Sequence, residues 1–282
     1  MNIYNTAPYF INNYQPNVSF LHTYHATYPL QFKEYFLYHC KNPEQKRKTA
    51  LQKYSSHMNT MKIANQNIEK HLYTITSAYE QKYPIIFNNN VHIIVGLYGS
   101  NAFTHRQPIP DVTFCLEKLS PVDEHLKVII AHEFGHVLHH MLSEQREVDW
   151  VTIPWFHPYT TLFQEGSATY LSKQLEISKN QGAYFTYDDT GERWLAFSKQ
   201  HKREIIRAFL SDMQTCHEDR IYREWFSIYG GTQFGYSRLG YFIGYELLHF
   251  LMRKYPELKA ITIWRNANYI GIIHSILLEM SN

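Results

Sequence analysis

Two histidines four residues apart, His132 and His136, with a glutamate directly after the first, are the side chains of this sequence best suited to chemistry. Within a helix that spacing is about one turn, so both imidazoles project from one face and can share one ion. Neutral imidazole nitrogen binds Zn²⁺ at roughly 2.0–2.1 Å in a tetrahedral shell. Glu133 sits beside the pair without having to ligate, where a carboxylate can take a proton from a water activated by the metal. The ligand types favour zinc over other divalent ions, with one ion per chain.

A catalytic zinc needs a third protein ligand and one open position. Glycine at 139 and histidine at 142 would continue the motif into the three-histidine pattern, but the chain has His139 and Leu142. Glu165, in the segment Gln164-Glu165-Gly166-Ser167-Ala168-Thr169-Tyr170, is the candidate instead. The small residues Gly166 and Ala168 are expected to let its helix pack closely on the helix of the histidines. The plainer reading of Glu165 is a carboxylate near a helix N-terminus, worth a few tenths of a kcal/mol to about one. His139 and His140 either orient a ligand and shuttle protons or simply pack. His157 and Asp149 lie in a Trp-rich loop that could line the cleft, without an assigned role.

These pieces together carry a resemblance. His132-Glu133-Phe134-Gly135-His136 followed by Glu165-Gly166-Ser167-Ala168 resembles the gluzincin metallopeptidases, whose third zinc ligand is a glutamate. Tyr241-Phe242-Ile243-Gly244 is similar to the Tyr-x-x-Gly helix start of aminopeptidases in that class. The resemblance implies that Tyr241 steadies the oxyanion of the tetrahedral intermediate, with Tyr245 in reserve. With Gly235-Tyr236 and Gly240-Tyr241 included, residues 85–260 look most like the YjaZ-like predicted zinc-dependent proteases. One departure stands out. Where gluzincin aminopeptidases carry a Gly-x-Met-Glu-Asn segment for the substrate amine, this chain has Gly99-Ser100-Asn101-Ala102 and no glutamate. That speaks against aminopeptidase action.

The elements that must hold these residues are legible in outline. Ser120, Pro121 and Asp123 form a helix start, and the helix they open should run to about Leu142. Its other positions, Leu126, Ile129, Ile130, Val137 and Leu138, are apolar, so it should be buried. A second helix is expected over about 161–175, with more over 193–214, 236–254 and the C-terminus. Upstream, Leu51, Tyr54, Met58 and Met61, then Ile68, Leu72, Ile75 and Tyr79, follow helical spacing from about 44 to 82, as one long helix or two with a break, and Pro84 ends the run. Lys46 to Lys48 should be a solvated face. Val91–Leu97 and Val112–Leu116 read as strands; the first is either a substrate-binding edge or an ordinary core strand. Residues 1–30, with Pro8, Pro16 and Pro29, read as an irregular lead-in.

The expected fold class is α+β. The resemblance implies a zincin-like (thermolysin-like, gluzincin) catalytic core with a small mixed sheet and a mainly helical C-terminal lobe, preceded by N-terminal helices. The expected division is residues 1–83 as an irregular and helical segment packed on the core and 84–282 as the catalytic domain.

Composition narrows the rest. An apolar share of 44% and a charged share of 18% fit a folded protein. Net charge of +2 gives no field to gather nucleic acid or anionic lipid. The three cysteines, Cys40, Cys115 and Cys216, make neither a disulfide framework nor a cysteine zinc site. No secretory signal or membrane-length apolar run is recognised, so the expected location is cytoplasmic. The expected function is zinc-dependent hydrolysis of peptide bonds in a peptide or protein substrate. The alternative is a zincin fold kept as a catalytically silent binding or regulatory module.

Overall fold

The computed structural model describes every residue from Met1 to Asn282, and the chain divides into two units, Met1–Glu133 and Phe134–Asn282. The first unit opens with strand β1 (Asn2–Asn5) and helices α1 (Ala7–Asn13), α2 (Val18–Thr27) and α3 (Pro29–Glu34). Helix α4 follows as one unbroken run of 40 residues (Pro43–Lys82). Next come β2 (Asn90–Ile94), β3 (Ala102–Thr104), β4 (Val112–Cys115) and the start of α5 (Asp123–Glu144).

Residues 1–30 are thus ordered, contrary to the irregular lead-in expected. The prolines that suggested breaks sit where helices begin: Pro8 and Pro29 occupy first turns, where a missing N–H costs nothing. Asn17 caps α2 through the Phe20 amide at 2.8 Å. Strand β1 escapes detection because it has only four residues, two of which, Asn2 and Asn5, have weak strand propensity. It pairs in parallel with β2, matching Asn2 to Asn90 and Asn5 to Ile93.

The sheet order is β1-β2-β4-β3, with β3 antiparallel to β4 and the other pairs parallel. Strand β2 therefore lies inside the sheet, and its residues 91–94 are buried. Its apolar composition is that of a strand covered on both faces. The possibility of an edge at Val91–Leu97 is closed, and the edges are β1 and β3.

After β2 the chain turns at residues 96–99 under buried polar side chains. The Tyr35 hydroxyl accepts from the amides of Leu97 (2.6 Å) and Gly99 (3.1 Å). Glu117 accepts from those of Gly96 (2.7 Å) and Tyr98 (3.0 Å). Tyr54 on α4 donates to the Gly96 carbonyl at 2.5 Å. Each bond answers a backbone group that burial would otherwise leave unpaired, at about 1–3 kcal/mol apiece.

Helix α4 buries Tyr54, Met61, Ile68, Leu72, Ile75 and Tyr79, at helical spacing. Two polar contacts fix α5 against it: His71 to Asp123 at 3.1 Å, and the Tyr79 hydroxyl to the Ala131 carbonyl at 2.8 Å. The basic stretch is only partly a solvated face. Arg47 is buried, ion-paired with Glu44 and stacked over Phe36 at 5.8 Å.

The second unit is helical throughout. After the end of α5 come α6 (Pro158–Lys173), α7 (Ala183–Thr186), α8 (Gly191–Gln200), α9 (Lys202–Thr215) and α10 (Glu218–Trp225). Helices α11 (Leu239–Lys254), α12 (Glu257–Ile261) and α13 (Tyr269–Ser281) complete it. The helical pattern over 193–214 is two helices, α8 and α9, meeting at His201. Helix α11 starts at Leu239 because Gly235 (φ 73°) and Arg238 (φ 61°) take left-handed backbone just before it.

Helix α6 lies between two others. A Cβ at Gly166 would come 2.1 Å from the carbonyl carbon of Gly244 on α11, and one at Gly135 on α5 would come 2.8 Å from the Ala168 carbonyl oxygen. Ala168 therefore does face the histidine helix, as its size suggested. Gly166 serves α11 instead. No helix is long and apolar enough to cross a membrane. The fold class is α+β, mostly helical with a small mixed sheet.

Candidate metal centre

Helix α5 is a single run of 22 residues and carries His132, Glu133 and His136 near its middle. It begins at Asp123, later than the start at Ser120 that the sequence suggested: the first helical bond runs from the Leu126 amide to the Val122 carbonyl at 3.0 Å, and the Ser120 hydroxyl accepts from the Val122 amide at 3.2 Å in the turn ahead of the helix. Its apolar positions Leu126, Ile129, Ile130, Val137 and Leu138 are all buried. Each such side chain contributes roughly 1.5–3 kcal/mol, so the helix carries its polar trio on an apolar scaffold.

His132, Glu133 and His136 are 2%, 7% and 8% exposed, which takes them out of bulk water. Three ionisable groups so placed would be costly without partners of opposite charge or a metal.

Glu165 comes from α6, whose start is equally well defined. His157 is the residue before the helix and accepts from the Tyr159 amide at 3.1 Å, and Pro158 takes the first helical position. Burial lowers the pKa of His157, in keeping with a neutral ring acting as acceptor. His157 and Asp149 are thereby explained as caps, since Asp149 accepts from the Val151 amide at 3.1 Å. Helix α6 is pinned to α13 by Thr160 to Tyr269 and by Tyr159 to His274, both 2.7 Å.

The ligand atoms of His132, His136 and Glu165 all lie within 4.8 Å of one another. His136 Nε2 is 3.4 Å from Glu165 Oε2. Two ligands at about 2.05 Å from a tetrahedral zinc stand ~3.3 Å apart, so this pair has the spacing of neighbours in one shell. It is longer than the ~2.7–2.9 Å of a direct charge-assisted hydrogen bond. Donor type, spacing and burial all fit zinc.

A second trio, His92, His105 and Asp111, meets the same distance criterion and was not expected from sequence. It fits a metal poorly. The His92 and His105 rings are stacked, 5.3 Å between centroids and 10° between planes. Lone pairs lie in the ring planes, so two stacked rings cannot both aim at one ion. Asp111 is also occupied, accepting from the Asn90 backbone amide at 2.7 Å and its side-chain amide at 3.2 Å. The trio continues an aromatic row from Tyr4 across the sheet to Phe103.

His139 belongs to the packing. It is fully buried, stacks on Trp264 at 4.2 Å and donates from Nε2 to the Ile261 carbonyl at 2.8 Å. Burial lowers its pKa well below the ordinary histidine value, so it stays neutral. His140 stacks on Trp150 at 4.9 Å and stands 3.3 Å from Gln164, the neighbour of Glu165.

Tyr241 is half-buried in the first turn of α11, with the Arg238 guanidinium 5.8 Å from its ring. Its helix packs on α6 through Gly244 and Gly166. Tyr245, one turn further along α11, lines a cavity with Phe185, His249 and Lys173. Burial raises its hydroxyl pKa to about 12.

Sequence comparison places these observations. Residues 8–256 match the model of a family described as "Putative zinc dependent peptidase (DUF5700)". No curated protein matches, and no solved structure does.

Proposed function

The chain belongs to that zinc dependent peptidase family, and on this premise we propose that it hydrolyses peptide bonds at one zinc held by His132, His136 and Glu165. The observation that carries the reading is the convergence of two buried imidazoles and one half-buried carboxylate within 4.8 Å. In this reading the fold is zincin-like and of gluzincin type, with the closest resemblance to the YjaZ-like proteases.

When bound, zinc supplies Lewis acidity, polarising the scissile carbonyl and bringing the pKa of water toward about 7. The protein supplies the rest. Glu133 orients the attacking water, takes its proton and delivers it to the leaving amine nitrogen. Tyr241 donates its hydroxyl hydrogen to the oxyanion of the tetrahedral species. Tyr245, which lines the cavity, is left out of this role. The substrate is a peptide or protein.

Elemental analysis after zinc loading, together with cleavage of a mixed peptide library, tests the proposal. One zinc per chain with cleavage that Glu133→Gln abolishes is the expected result. A chain that takes up no zinc would sink it. Zinc without cleavage would make the chain a silent binding module.

A further inference from the structure

Helices α6, α7, α8 and α11 of the second unit line a half-open cavity of about 500 Å³. That volume is in the range of small-ligand sites, roughly 300–1,000 Å³. One wall is cationic, formed by Lys173, Lys199 and Arg253, and another is apolar, formed by Phe185, Leu195 and Met252. Its carboxylate, Glu246, is ion-paired with Lys202. His249, the remaining titratable ring, is kept neutral by burial and by Lys173, Arg253 and Lys202 nearby, against the opposing pull of Glu246. The cavity thus presents uncompensated positive charge beside apolar surface.

Lys173 is the focus of that charge. Its ammonium lies 4.8 Å from the Tyr184 ring, 5.4 Å from Tyr245 and 5.6 Å from Phe185. Its hydrogen-bond acceptors are the backbone and side-chain oxygens of Gln181, both uncharged. Burial and the neighbouring Lys199 lower its pKa to about 8, the direction expected of a cation lacking an anionic partner.

The cavity also has a fixed relation to the proposed centre. Lys173 follows Glu165 by eight residues on α6, about 12 Å along the axis. Tyr245 follows Tyr241 by four on α11, about 6 Å and on nearly the same face. Those distances are spanned by roughly two to four residues of extended peptide at ~3.3 Å each.

We propose that this cavity holds the free C-terminal carboxylate and apolar last side chain of a peptide, so that the enzyme reads its substrates from the carboxyl end. The carboxylate meets Lys173 and Arg253, and the side chain packs on Phe185 and Met252. One charge set against apolar surface suits a peptide end better than an oxyanion charged on all sides. The inference rests on the peptidase reading for its functional meaning and on the cavity alone for binding.

The test compares matched peptides that end in a free acid or in an amide, using the zinc-loaded full chain. The acid form should be favoured in kcat/KM by at least about tenfold, through KM, as for a desolvated charge pair. Lys173→Met, which keeps the apolar stem, should bring the ratio to near one with zinc content retained. Arg253→Gln, at an exposed position, should lower it too and guards against misfolding of the first variant. Equal turnover of acid and amide, or a ratio that survives both substitutions, would overturn the proposal while leaving the peptidase reading intact. Calorimetry on the Glu133→Gln protein with an N-acetylated dipeptide acid separates the two in the other direction. Binding that Lys173→Met removes supports the cavity even if no peptide is cleaved. Inorganic phosphate binding as tightly as the dipeptide would overturn it in favour of a general anion site.

Discussion

Gly166 and Gly244 meet backbone to backbone: a Cβ on the first would stand 2.1 Å from the carbonyl carbon of the second. Glu165 immediately precedes one of these glycines, and Tyr241 lies three residues before the other. A contact that only glycine permits therefore spaces two residues assigned to the same centre.

Gly166→Ala should destabilise the protein by about 2 kcal/mol or more, because neither backbone can retreat from an added methyl. It should also weaken zinc affinity by moving Glu165. Gly235→Ala serves as the contrast, since nothing lies within 4 Å of its Cβ position and only its φ of 73° resists. That strain costs about 1–2 kcal/mol, and zinc affinity should be untouched. Urea unfolding and zinc titration of the two variants measure the difference.

Glu133→Gln should bind zinc as the native chain does and lose about 10²–10⁴-fold in kcat, the contribution usual for a positioned proton acceptor. An amide keeps the size of the side chain and removes its basicity. Turnover within a factor of two of the native value would show that another group takes the proton.

His136→Ala and Glu165→Ala should each abolish stoichiometric zinc. Chelation of the native protein should lower its melting temperature, since an ion at 1,000 times its Kd adds about 4 kcal/mol to a fold that binds it. Readdition of zinc should restore the loss, and neither variant should respond to chelator. Retention of a full equivalent in Glu165→Ala would remove that residue from the ligand set.

Glu117 supplies a pH signature away from the centre. Burial, only partly offset by the Gly96 and Tyr98 amides, raises its pKa to about 7 from 4.5. The folded chain then holds a proton that the unfolded chain has released. Its contribution to stability is greatest below about pH 4.5, declines as pH rises to about 7 and is level above. Measured as the difference from Glu117→Gln, the decline should approach about 3 kcal/mol. A difference that is flat across this window would refute the assignment.

Much of the centre was legible because its signals are local. The spacing of His132 and His136 and the apolar stripe of α5 both act within a few turns of helix. The helical stripe of α4 was legible too, but its continuity was not: one helix and two with a break fit the sequence alike, and the structure shows one run of 40 residues. Strand β1 was hidden because Asn2–Asn5 becomes a strand only by pairing with residues near position 90. The place of β2 inside the sheet was hidden for the same reason, as no residue of a strand states which neighbours flank it.

By itself, the sequence determined which side chains could bind zinc and which helix would present them, because ligand type and helical period are properties of neighbours in the chain. Tertiary structure decided the rest. It brought Glu165 to 3.4 Å from His136, committed His139 to Trp264, set Tyr245 in the wall of a cavity and gathered Lys173, Lys199 and Arg253 around it. These relations join residues 26 to 125 positions apart or depend on which face of a helix is covered. They are fixed by packing between helices, which a linear pattern does not encode.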